Sequence, residues 1–63
     1  MEKWTFKDLV IGAMFFTTSE VEDPGKSLRD MNVKLTEQTA RNIYTGCADK
    51  FFPGENVYIL KNS

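Results

Sequence analysis

Few side chains in this sequence can do chemistry. Histidine is absent, so neither a Ser-His nor a Cys-His nucleophile–base pair can form. Cys47 is the single cysteine. Lys50 nearby would lower its thiol pKa if the two side chains approach, but a small apolar residue beside a hairpin is the plainer reading. A zinc site would have to combine Cys47 with several carboxylates, which is a poor donor set. Glu20, Glu22 and Asp23 crowd one polar stretch, and such a trio is ordinarily a solvated loop rather than a cation site. Gly12, Gly25, Gly46 and Gly54 are scattered, so no glycine-rich loop cradles a phosphate. The chain is therefore read as non-enzymatic, with no cofactor and no metal.

Two constellations remain. The first is polar. Asn32 and Lys34 alternate on one predicted strand, and Arg41 or Asn42 with Tyr44 would lie opposite. Amide, cation and phenol together suit the phosphate, ribose and base edges of a nucleotide-type small molecule. The same residues also serve as the ordinary wet face of a sheet. Asn32, Lys34, Arg41, Asn42 and Tyr44 are thus the candidate ligand-binding set. The second constellation is aromatic. Phe15-Phe16 and Phe51-Phe52 are adjacent pairs, and strand geometry sends neighbours to opposite faces. One ring of each pair is then left outside the core, for a second small cluster or for another subunit. Phe15, Phe16, Phe51 and Phe52 are the candidate interface.

The elements that must position these groups read as strands separated by turns. Trp4-Thr5-Phe6 suits a short edge strand. Residues 7–12 then read as a turn or 3₁₀ segment, since Asp8 favours a turn; a short helical turn over residues 5–9, with Thr5 as N-cap and Asp8 as its N3 partner, is the alternative. Gly12 can take positive φ where the chain changes direction. Strands are expected over residues 13–18, 28–36, 39–44, 48–52 and 56–60, from β-branched and aromatic content with alternating polarity. Residues 20–27, with Pro24-Gly25, read as a mobile loop. Glu37-Gln38 is a hairpin connection without the favoured Gly. Phe52-Pro53-Gly54-Glu55 fits a type II turn. The alternation places Val33, Leu35, Ile43, Val57 and Ile59 in the core, with Met31 on the same face, and turns Asn32 and Lys34 to water.

A chain of 63 residues makes one domain, spanning 1–63, and buries only about 60% of its unfolded surface. Without a disulfide or metal, oligomerisation is the remaining staple, and a homo-oligomer is expected. Five Phe, two Tyr and one Trp supply the contact area for a small core or an interface. The fold class that follows is mainly β: a small five-stranded antiparallel, SH3-like, partly open barrel, since curling the meander covers its apolar face and its edges. A single cysteine without a recognisable signal peptide points to the cytoplasm. No apolar run approaches the roughly 20 residues of a membrane span, so no membrane partner is expected. A net charge of −1 argues against nucleic acid.

Phe6-Lys7-Asp8-Leu9 with Ile11-Gly12 and Phe15, then Val33-Lys34-Leu35, Asn42, Thr45-Gly46, Phe52-Pro53-Gly54-Glu55 and Val57, together resemble short bacteriophage-encoded SH3-like β-barrel accessory proteins. The resemblance covers nearly the whole chain and rests on turns and strand faces. It implies a phage protein in the host cytosol that counters host defence, and it transfers no site residues. The leading expectation is sequestration of a nucleotide-derived immune signal at subunit interfaces. The alternatives are an inhibitor docked on a host protein, and an SH3-like nucleic-acid-binding module.

Overall fold

The computed structural model describes residues 2–18 and 29–59. Six strands appear in chain order: β1 (Glu2–Thr5), β2 (Met14–Phe15), β3 (Asn32–Lys34), β4 (Thr39–Asn42), β5 (Ala48–Lys50) and β6 (Asn56–Ile59). One 3₁₀ turn, Phe6–Asp8, follows β1. The protein is mainly β and antiparallel, with six strands rather than five among the described residues. They form two sheets, neither closed into a barrel: a ribbon of β1 and β6, and a four-stranded sheet ordered β2-β3-β4-β5. Phe16 and Tyr58 join the sheets by reciprocal backbone hydrogen bonds of 2.7 and 2.8 Å. No helix of the described residues is long and apolar enough to cross a membrane. The loop expected over residues 20–27 lies outside the described residues.

The turns follow local chemistry. Thr5 donates both its backbone N–H (3.3 Å) and its hydroxyl (2.5 Å) to the Asp8 carboxylate, which starts the 3₁₀ turn. Packing then fixes that turn against the far end of the chain. The Phe6 N–H donates to the Glu55 carbonyl (2.9 Å) and the Lys7 N–H to that of Pro53 (3.0 Å). Residues 10–13 make a tight turn in which Gly12 has φ +94°, a conformation strained for any other residue. The β3–β4 hairpin lacks a glycine, and the Thr36 hydroxyl substitutes by accepting from the N–H groups of Gln38 (3.2 Å) and Thr39 (3.1 Å). At 52–55 the Glu55 N–H donates to the Phe52 carbonyl (3.0 Å). Gly54 does not have the positive φ of a type II turn, so the turn expected there is of another type.

Three rings make the centre of the core. Phe6 stacks on Phe51 at 5.0 Å, and Phe15 meets both edge-on, at 5.7 and 5.4 Å. Val57, Ala40 and Leu9 complete the buried cluster, with Trp4, Ala13 and Ile59 packed on its margin. Val57 is buried as its alternation predicts, and Ile59 is half-buried.

The sidedness of β3 and β4 is the reverse of the sequence reading. Asn32 and Lys34 are buried, whereas Leu35 and Ile43 are exposed and Val33 is only half-buried. The register shows why the whole face turns together. Phe15 pairs Asn32, which pairs Asn42, and Lys34 pairs Ala40, so these rows face the aromatic core. Met14 pairs Val33, which pairs Arg41, and that row faces outward. A period of two fixes which residues share a face but not which face is inward.

Candidate functional site

Lys34 is the most unusual residue of the fold, with 1% of its surface exposed. A buried ammonium is costly unless its protons find acceptors. Here Nζ donates to the carbonyls of Leu9 (2.6 Å) and Phe6 (2.9 Å), at the end of the 3₁₀ turn. It also lies 4.6 Å from the centroid of the Phe6 ring, a cation–π contact strengthened by the loss of water. The exposed Glu37 carboxylate is 3.7 Å away. The strand and the turn are thus pinned together through the core. This makes Lys34 a structural cation and removes it from any surface ligand site.

Asn32 and Asn42 are spoken for in the same way. Asn32 donates its amide to the Asp30 carbonyl (2.5 Å). Asn42 donates to the carbonyl of Arg29 (2.8 Å) and, more weakly, to the Asn32 amide oxygen (3.4 Å), and its own oxygen accepts from the Thr45 N–H (2.8 Å). Asp30 in turn accepts from the backbone N–H groups of Thr17 (2.8 Å) and Thr18 (3.1 Å) and from the Thr17 hydroxyl. These side chains organise the backbone where residues 17–18 meet residues 29–30. Of the five residues expected to bind ligand, Arg41 and Tyr44 face solvent. The Arg29 guanidinium lies 5.9 Å from the Tyr44 ring centroid.

The aromatic pairs also distribute differently from the expected interface. Phe15 and Phe16 are both buried within the chain, because Phe15 enters the three-ring core and Phe16 lies beneath the groove that Trp4 and Ile59 flank. Phe51 packs against the core. Only Phe52 of the four is exposed, at 78%.

What faces water instead is the apolar row the alternation had assigned to the core. Met14, Leu35 and Ile43 are exposed on the outer side of the four-stranded sheet, with Val33 between them. Tyr44 is exposed at the β4–β5 turn. Arg41 pairs Ala48 and Thr39 pairs Lys50, which puts two cations on the same face. Sequence reasoning named Arg41 and Tyr44 here but missed Met14, Leu35 and Ile43. Their alternation marks them clearly as one face; only the side of the sheet was misassigned.

Cys47 is exposed and unpaired with another cysteine. Among the described residues no group of His, Cys, Asp or Glu could hold a metal ion. Glu20, Glu22 and Asp23 lie outside them. Comparison of the chain with protein-family models, curated proteins and solved structures finds no match.

Proposed function

We propose that this chain is a non-enzymatic accessory protein that works by docking the outer face of its four-stranded sheet onto another protein. One observation carries the reading: Met14, Leu35 and Ile43 are solvent-exposed on a single face while a lysine and an asparagine occupy the inner one. Leaving such a row in water forgoes burial energy that a partner surface would recover. The partner's chemistry follows from the cations. Arg41 and Lys50 stand on the apolar face, so a partner with an apolar centre and acidic margin complements it. Face-to-face pairing of two copies would bring these like charges together, which favours a foreign partner over a homo-oligomer. The homo-oligomer expected from leftover aromatics keeps only Phe52 of its four rings at the surface, since Phe15 and Phe16 are used inside the chain and Phe51 packs on its core.

A bacteriophage origin and an action against host defence, as the resemblance implies, belong to this proposal. So does the SH3-like description of the fold. Between the two leading modes of action, docking on a host protein is better supported than sequestering a nucleotide. The nucleotide reading needs Asn32 and Lys34 at the surface, and both are buried.

Site-specific photocrosslinking tests the reading. A photoreactive phenylalanine analogue at position 43, in cells producing the protein, is expected to give one discrete adduct with a foreign protein, lost on Arg41→Glu. The same probe at the exposed Lys3 on β1 should give none. Only self-adducts, or equal labelling from both positions, would overturn the docking face.

A further inference from the structure

A groove of about 500 Å³ opens where the β1–β6 ribbon meets residues 9–14. Trp4, Leu9, Val10, Met14, Phe16 and Ile59 form most of its wall, and among the described residues Asp8 is the one charged group in its lining. Met14 borders both this groove and the outer sheet face, but the groove needs neither Arg41 nor Lys50.

Its size falls in the range of small-molecule sites, about 300–1,000 Å³. Its charged lining group is acidic, with the Lys7 and Lys34 ammonium groups acting on it from nearby. Asp8 is held in place by two hydrogen bonds from Thr5 to Oδ2. Those bonds keep its carboxyl below the usual carboxylate range, so it is ionised at neutral pH. Trp4 is fixed as well: its indole N–H donates to the Glu2 carboxylate at 2.6 Å. The polar edge of the indole is thereby used and a second carboxylate is held beside the ring. An aromatic wall with an oriented anion is the pairing that recognises a cation on an apolar body. The thioethers of Met14 and Met31 add adaptable apolar contact. A peptide would need polar groups for its backbone, and the wall offers few.

From these observations we infer that the groove binds a small amphipathic cation, a protonated amine carried on an alkyl or aryl chain. The amine sits at Asp8, and the apolar body lies against Trp4 and Phe16.

Trp4 is the only tryptophan, so its fluorescence reads the site directly. The intact protein is titrated at pH 7 with phenylbutylamine, with phenylbutanol and phenylbutyrate as neutral and anionic counterparts. The expected result is a saturable change with the amine, binding about five-fold tighter than the alcohol, as an exposed ion pair allows, and no saturable change with the carboxylate. Asp8→Asn should bring the amine to the affinity of the alcohol while leaving the alcohol unchanged. If that variant loses its fold by circular dichroism, the ranking of the three ligands on the wild-type chain decides alone. Equal affinity for amine and alcohol, stronger binding of the carboxylate, or no saturation with any of the three overturns the assignment. So does a response confined to a lysine-containing apolar peptide. None of these outcomes bears on crosslinking at position 43, so the two sites are judged separately.

Discussion

Exchanging the roles of Lys34 and Leu35 discriminates between the two possible sidednesses of β3. In the structure the Lys34 ammonium serves two carbonyls. The Phe6 carbonyl also accepts the Leu9 N–H at 3.2 Å, so it keeps a partner when the ammonium is removed. The Leu9 carbonyl loses the ammonium in a buried setting, at a cost of about 1–3 kcal/mol. In Lys34→Met the thioether chain refills the space of the stem, and the desolvation cost of the ammonium disappears, which offsets part of that loss. A net destabilisation of about 1–2 kcal/mol is expected for Lys34→Met. A 63-residue chain has in total only about 3–9 kcal/mol to lose. The corresponding fall in Tm is roughly 5–15 °C. Lys34→Ala adds a cavity and about 2 kcal/mol more. Leu35→Lys places a cation where 41% of the side chain's residue is already exposed and should cost less than about 1 kcal/mol. Urea denaturation followed by Trp4 fluorescence measures all three. If Lys34→Met is neutral or stabilising while Leu35→Lys costs several times more, the inward orientation of Lys34 is wrong.

Two further outcomes follow from the polar contacts. Asp30→Ala removes the acceptor for the Thr17 backbone and hydroxyl, and the Thr17 amide should exchange about five-fold faster, for a loss near 1 kcal/mol; unchanged Thr17 exchange would show that Asp30 does not hold this junction. Asp8 is an acid-sensitive group: hydrogen bonds from the Thr5 side chain and backbone hold its folded pKa down. The folded state therefore binds fewer protons, so this contribution is complete above the usual carboxylate range and is lost as pH falls through the depressed pKa. Urea midpoints followed from neutral to about pH 2 should decline less steeply in Asp8→Asn than in the wild-type chain; parallel curves would remove Asp8 from the acid response.

Much of this fold is legible locally. The Thr5–Asp8 spacing, which suits the cap of a helical turn, closes a 3₁₀ turn instead, while Gly12 marks the reversal before β2 and Val57 is buried as its alternation requires. These depend on residues within a few positions of one another. The inward face of β3 does not. Lys34 is buried because the carbonyls of residues 6 and 9 and the Phe6 ring wait for it across the core, a pairing no local pattern announces. Burial of both Phe15 and Phe16 is hidden for a related reason. Phe15 on β2 is covered by Phe6 and Phe51, while Phe16 lies one residue past β2, bridged to Tyr58, and is covered along the groove beside Trp4 and Ile59. The outer face was accordingly half readable: Arg41 and Tyr44 are at the surface as expected, and the apolar residues Met14, Leu35 and Ile43 are there too, although the alternation placed Leu35 and Ile43 in the core.

The β1–β6 ribbon also sets the order of events in time. Its register joins Glu2 to Ile59 and Thr5 to Asn56, so the first strand finds its partner only once the last has been made. Contacts so distant along the chain form slowly, since the ends must meet before pairing rewards them. The acceptors for Lys34 sit directly after β1, on a turn that is itself bonded to Pro53 and Glu55. Until the two ends zip together, the inner face of β3 carries a cation with nowhere dry to go. Hairpins of the middle of the chain can form early, yet Lys34 meets its two carbonyls only when the N-terminal turn docks. A nascent chain that ends before Pro53 lacks the carbonyls of Pro53 and Glu55, and with them the anchor of the turn that receives Lys34.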